Sequence, residues 1–300
     1  MGAGMPLFSD NDSFQSVFQV ADNREQQNED GTCQRLELWT QNIAFSFPGR
    51  DLLEADFKLI FGVGEVTAQK LRDDGFQTLY DLIRHPRWGR AATDVLRLIE
   101  TRNYERLAAY GASDLQLLSF FDPRQIKFID IETVGLYYVN PVFLVGVLRF
   151  EEERGIISQY LARDYSEEKA LLREVLDELK QTALITSFNG RSFDIPYLRG
   201  RMRYHQLCDM DRSVHVDLLR TARKNYRDTL PNCRLVTIER HLLSEERPDD
   251  LPGSEVADYY HRFVETGDRS LIAAILKHNA RDLLSMAKIL GIMTDCLGAV

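Results

Sequence analysis

From Gln125 onward the chain turns to strand-forming sequence, and this restricts the fold more than any other feature. IKFIDIE, PVFLVGVLRF and GIISQYLA follow one another closely, with a polar stretch from Glu151 to Arg154 suited to a hairpin turn between the second and third. The pattern then alternates. Ser166 to Gln181 reads as an amphipathic helix with Ser166 as N-cap and Glu167 and Glu168 in its first turn. ALITSF is a fourth strand, SFDIPYLRGRMRYHQL a helix, and SVHVDLL a fifth strand. The remainder reads as mostly helical, closing with a long helix from Leu271 to about Ile292. This order predicts an α/β domain over residues 121–300, a mixed central sheet flanked by helices.

Two segments precede it. Residues 57–120 read as a small all-α domain. Gly62-Val63-Gly64 is a tight turn, Val66, Ala68 and Leu71 line a short helix, and Gly75 suits its left-handed C-terminal cap. Thr78 and Asp81 have capping-box spacing for a following helix. Residues 1–56 are rich in Asn, Gln, Asp and Ser without clean periodicity, and read as a partly disordered acidic leader. The 300 residues carry 46 acidic and 37 basic side chains, a formal charge of −9, which excludes a histone-like polycation. Ten of the acids, against three bases, fall in the first 56 residues, so the leader holds most of that excess. The N-terminus MGAGMPLFSDND lacks a basic flank followed by an apolar run, and Pro6 stands where a myristoylation signal wants Ser or Thr. The longest apolar runs, such as Val142 to Val147, are too short for a membrane span. Cys33, Cys208, Cys233 and Cys296 lie far apart with no metal-site spacing. A cytoplasmic protein with reduced thiols and no membrane partner is expected.

Four carboxylates draw the eye. Asp130 and Glu132 are two apart on the first strand of the α/β domain and therefore share a face, where they repel each other and resist burial unless a cation lies between them. Asp194 falls in the first turn of the helix after the fourth strand, and Asp282 lies four residues after His278 on the final helix. Taken singly, each has an ordinary structural explanation: a strand end in solvent, complementarity to a helix dipole, a surface His–Asp pair.

Together they form three motifs, FIDIET, NGRSFDIP and HNARD, in an RNase H-like order of elements. In these the sequence strongly resembles the DEDD exonucleases over roughly residues 125–292, and most nearly the bacterial YprB-like group of predicted exonucleases. HVDLL and LPNCRL match further segments of that group. The resemblance implies that Asp130, Glu132, Asp194 and Asp282 hold two divalent ions, Mg²⁺ or Mn²⁺. It implies hydrolysis of phosphodiester bonds of DNA or RNA from single-stranded 3′ ends, and substrate contacts by Thr133, Asn189 and Phe193, for which turn-forming and packing roles stand equally. One departure concerns His278. The large branches of the family place a His five residues, or a Tyr four residues, before the last Asp, and here a His takes the Tyr position. An imidazole there suits a general base.

GVGEVTAQKLRDDGF resembles a helix-hairpin-helix motif. The resemblance implies non-specific duplex contact through Gly62, Gly64 and Lys70, with a compact helical spacer as the alternative. Arginines crowd both halves, among them Arg199, Arg201 and Arg203, as a solvated face or a phosphate track. The competing expectation for the whole chain is a non-catalytic nucleic-acid-binding or scaffold protein with a degenerate nuclease fold. Protein partners have no signature in the sequence.

Overall fold

The structure is a computed structural model, and it describes residues 17–40, 43, 46–151 and 154–296. Seven strands form one mixed sheet in the order β1-β2-β5-β4-β3-β6-β7. They are β1 (Phe18–Asn28), β2 (Gly31–Thr40), β3 (Ile126–Thr133), β4 (Val142–Glu151), β5 (Arg154–Leu161), β6 (Leu184–Ser187) and β7 (Val214–Asp217). From β1 to β3 neighbouring strands run antiparallel, whereas β3, β6 and β7 are mutually parallel. Nearly every residue of β4 and β5 is buried, as expected of a sheet covered on both faces.

The helices of the α/β unit are α6 (Glu168–Leu179), α7 (Asp194–Tyr204), α8 (Leu218–Tyr226), α9 (Leu235–Leu243), α10 (Val256–Thr266) and α11 (Arg269–Asp295). They follow α1 (Asp51–Glu54), α2 (Glu65–Asp73), α3 (Gly89–Glu100), α4 (Tyr104–Ala109) and α5 (Asp114–Leu117) of a second unit. The described residues divide into these two compact units, one of those before 46 with 124–292, the other of 46–123 with 293–296 at the end of the last helix. The mixed sheet with flanking helices agrees with the expected α/β class. Among the described residues no helix is long and apolar enough to cross a membrane.

The leader expectation is overturned for Phe18–Thr40. Its strands had a readable sign in LELWT, where Leu36, Leu38 and Thr40 alternate into the core. The outer strand β1 is exposed along most of its length, so its composition is that of an edge and imitates disorder. Its charge is compensated by α6. Asp30 accepts from Arg173 at 2.8 Å and pairs with Lys169 at 2.7 Å, and Asn28 donates to Glu174 at 2.8 Å. The earlier part of the leader, residues 1–16, lies outside the described residues.

The helical unit begins at Ser46, earlier than the expected 57, because Leu53 and Phe57 sit in its core with Leu79, Leu82, Val95 and Ile99. Its Gly75 takes φ +96° just past α2, as a C-terminal cap requires. Asp81 accepts from the backbone N–H groups of Gln77 and Thr78, but a 3₁₀ turn follows where a longer helix was expected. Nor does Ser166 cap α6. Asp164 caps the turn before it and accepts from the Ser166 N–H.

One buried acid ties the α/β unit together. Glu168 accepts from Arg201 Nε at 2.7 Å, from the Val142 N–H at 2.9 Å and lies 2.8 Å from His205 Nε2, linking α6, α7 and β4. Removing one partner of a buried pair strands the other charge. Glu168→Ala is expected to lower stability by about 3–5 kcal/mol in urea unfolding, with Glu168→Gln costing less because it keeps the packing and an acceptor.

Candidate active site

The site forms at the C-terminal end of β3, where parallel β6 stands on one side and antiparallel β4 on the other. Asp130 lies opposite Gly146 of β4, which in turn lies opposite Gln159 of β5. Helix α11 crosses this row. Asn279, fully buried, donates from Nδ2 to Asp130 Oδ2 at 2.8 Å and to the Asp130 carbonyl at 3.3 Å. Gln159 donates to Asn279 Oδ1 at 2.9 Å and to the Leu276 carbonyl at 2.8 Å. A Cβ on Gly146 would stand 2.1 Å from Asn279 Oδ1 and 2.7 Å from Leu283 Cδ1, so only glycine lets the helix come this close. His278 and Asp282 are carried to the site on the same helix.

Asp194 arrives by a tight turn after β6. Asn189 adopts φ +72°, which Asn tolerates better than most residues. Asp217, at the end of β7, accepts from the backbone N–H groups of Asn189 at 2.8 Å and Arg191 at 3.1 Å, and caps α8 through Leu219 N–H. Gly190 is wedged over Ser187 and Asp194, where an added Cβ would clash. Phe193 is the residue at the N-cap position of α7, and no side chain caps there.

Asp282 is held by Arg247, whose guanidinium also donates to Glu239 and, at 3.0 Å, to Asp250. Asp250 in turn sits 3.0 Å from His278 Nδ1, leaving Nε2 3.9 Å from Asp282 Oδ2. Asn279, Gln159, Arg247 and Asp250 were not anticipated from sequence. Asn279 stood inside HNARD unremarked, and Arg247 and Asp250 lie in a segment with no motif. Of the expected substrate contacts, Thr133 donates to the Gly135 carbonyl at 2.8 Å, Asn189 forms the turn, and the Phe193 ring lies 5.3 Å from that of Tyr197. Gly62, Gly64 and Lys70 belong to the helical unit, at the turn before α2, its N-cap and its last turn.

The carboxylates are electrostatically unsettled. Burial, then the charges of Asp282, Glu132 and Asp194, hold Asp130 well above the ordinary carboxylate range despite the Asn279 hydrogen bond. Burial raises Glu132 to about 8, with Asp282 and Asp194 adding and His278 opposing. Burial likewise raises Asp194 to about 7. Burial alone would lower His278, but Asp250, Asp282 and Glu132 outweigh it and raise the imidazole to about 9. Among the described residues no three His, Cys, Asp or Glu side chains are grouped closely enough to hold a metal ion as they stand. As donors, the four carboxylates are hard oxygen ligands of the kind that suits Mg²⁺ or Mn²⁺, and a divalent cation would relieve their mutual repulsion.

These shifts predict a pH dependence in EDTA. Glu132, Asp194 and His278 bind protons more tightly folded than unfolded, so stability falls as pH rises through their folded values. Buried His215, lowered to about 4, works in the opposite direction only below its ordinary 6.5. Between about pH 6.5 and 8 the fall should therefore be clean, at most about 1.4 kcal/mol per pH unit for each group. Glu132→Gln should flatten it, as read by urea unfolding across that range.

The same segment of chain is matched by a family model. Residues 127–294, more than half of the chain, match the RNase_H superfamily. The chain is similar to the uncharacterized protein YprB of Bacillus subtilis, with 31% identity over 170 residues, covering 55% of this chain and 41% of that protein. It thus spans less than half the length of that relative. It is also similar to the uncharacterized protein MJ0365 of Methanocaldococcus jannaschii, with 29% identity over 177 residues, 56% of this chain and 94% of that protein. Among solved structures, the family B DNA polymerase from Pyrobaculum calidifontis shows 18% identity and a TM-score of 0.45, covering 57% of this chain and 24% of that one. With its sheet order and the model match over residues 127–294, the chain belongs to the RNase_H superfamily.

Proposed function

We propose that the chain is a metal-dependent 3′–5′ exonuclease of the DEDD type. The observation that carries this reading is electrostatic: at one end of the central strand Asp130, Glu132 and Asp194 are all raised by burial and by the charges of neighbouring acids, Asp282 among them each time. These four would hold two Mg²⁺ or Mn²⁺ ions. Bound there, the ions would supply a nucleophilic water at neutral pH and neutralise charge on the attacking and leaving oxygens. The protein's own residues do the positioning. Asn279 holds the Asp130 carboxylate through one oxygen and leaves the other to coordinate. Asp250 holds His278 by Nδ1, so that Nε2 is the atom that exchanges a proton. Neutralising Glu132 and Asp282 removes two of the causes that raise His278, which favours its service as a base. Asp217 fixes the turn that delivers Asp194.

The helical unit is proposed to contact duplex phosphates without reading bases. Gly62, at φ +85°, and Gly64 have open space where a Cβ would stand, and the exposed N-terminus of α2 follows them. Phe61 and Val66 flank the turn, 96% and 86% exposed.

A 5′-labelled single strand of DNA or RNA incubated with Mn²⁺ should yield a ladder that EDTA abolishes. Asp130→Asn or Asp282→Asn should lower the rate by about a thousandfold or more. Gel shift without cleavage would instead identify a non-catalytic binder. Saturating Mn²⁺ should also raise the melting temperature by roughly 5–10 °C, an effect lost in Asp130→Asn. Lys70→Glu should weaken duplex binding and leave cleavage of a short single strand intact.

A further inference from the structure

A pocket of about 550 Å³ opens along α7, lined by Tyr138, Arg191, Ile195, Arg199, Arg203 and His215. Its volume is that of an ordinary small-ligand site. No carboxylate lines it. Arg199 pairs with Asp209 at 3.2 Å, the Arg191 guanidinium donates to the His215 carbonyl, and Arg203 makes no ion pair among the described residues. Burial first, then the nearby Arg191 and Arg199 charges against the opposing charge of Asp217, push the His215 imidazole down to about 4.

The aromatic wall is held in place although it faces solvent. Tyr138 is 57% exposed, yet its carbonyl and that of Val139 accept from Arg201 at 3.1 and 3.2 Å. Arg201 is itself locked by Glu168. The Tyr197 hydroxyl lies within hydrogen-bond distance of the carbonyls of Gly135, at 3.1 Å, and Asn140, at 2.9 Å, at the two ends of the same loop. The Tyr138 ring lies on Gly200, where a Cβ would come within 2.6 Å of it. An exposed ring pinned from both sides loses little freedom on binding. Planar guanidinium groups match phosphate oxygens, and an aromatic face stacks any base.

We propose that this pocket seats one nucleotide of the substrate strand, its phosphate among Arg191, Arg199 and Arg203 and its base against Tyr138. The proposal rests on the nuclease reading, since it takes the strand as ligand. Ile195, in the pocket wall, adjoins Asp194, and Arg199 and Arg203 follow at about 7.5 and 13.5 Å along the helix axis. The strand would thus lead from the carboxylates along α7.

The test is fluorescence anisotropy of a labelled single-stranded decamer in EDTA over a range of salt, with Mn²⁺-dependent cleavage measured in parallel. Removing two phosphate contacts in Arg199→Ala with Arg203→Ala should reduce the log–log salt slope by about 1.4. Tyr138→Ala should weaken binding by roughly 5- to 150-fold, and Tyr138→Phe should restore it. Arg24→Ala with Arg262→Ala, which removes two exposed cations outside the pocket, should leave slope and affinity unchanged. Wild-type slope and affinity in the folded pocket variants would overturn the proposal, as would an equal loss of slope in the control pair. A loss of affinity as large for a nucleoside 5′-monophosphate as for the decamer would assign the pocket to free nucleotides and overturn it as well. Binding is read without hydrolysis. A wild-type protein that binds through the pocket but never cleaves refutes the nuclease reading alone, and one that cleaves while the pocket variants bind normally refutes the pocket alone.

Discussion

A carboxylate on the central strand of a covered sheet must be met by a donor, and Asp130 is met by the amide of Asn279. That contact needs α11 to lie almost on the strands, which Gly146 permits by having no side chain. Gln159 completes the row by holding the other end of the Asn279 amide, so the orientation of the amide is set from two sides. Once the helix is seated, Asp282 and His278 reach the site by helical geometry alone, three residues beyond Asn279 and one before it. The position of these side chains therefore follows from one glycine and two buried amides.

Acids in this protein fall into two electrical classes. Glu168 is buried among three donors and serves as a joint between α6, α7 and β4. Asp30 is answered by Lys169 and Arg173. At the end of β3, by contrast, Asp130, Glu132 and Asp194 face one another with fewer donors, and burial drives them toward the protonated form. Concentrated like charge in a dehydrated place is costly to keep. A structural role would not require it, whereas cation binding would.

The same compensation explains why the overall charge of −9 says little about what the surface meets. Acids of the N-terminal hairpin are spent on the basic residues of α6 and on Arg163. Along α7 the balance is reversed, with Arg191, Arg199 and Arg203 around a pocket that no acid lines.

Much of the α/β unit was legible in the sequence, because apolar periodicity and turn residues are local properties. IKFIDIE, PVFLVGVLRF and GIISQYLA became β3, β4 and β5, and the DxE spacing on a strand put both carboxylates on one face. The N-terminal hairpin was misread since its exposed edge strand β1 has the composition of a flexible tail, although the alternation in LELWT of β2, which pairs with β5, was a readable sign. Asn279, Arg247, Asp250 and Gln159 carried no readable signal, for their importance comes from partners between 28 and 149 residues away. Sequence by itself determined which residues are acidic, on which kind of element each stands and in what order the elements come. Tertiary structure alone decided which acids share a dehydrated space, which are neutralised and which donors hold them, since burial and Coulomb energy depend on distances that chain order does not specify.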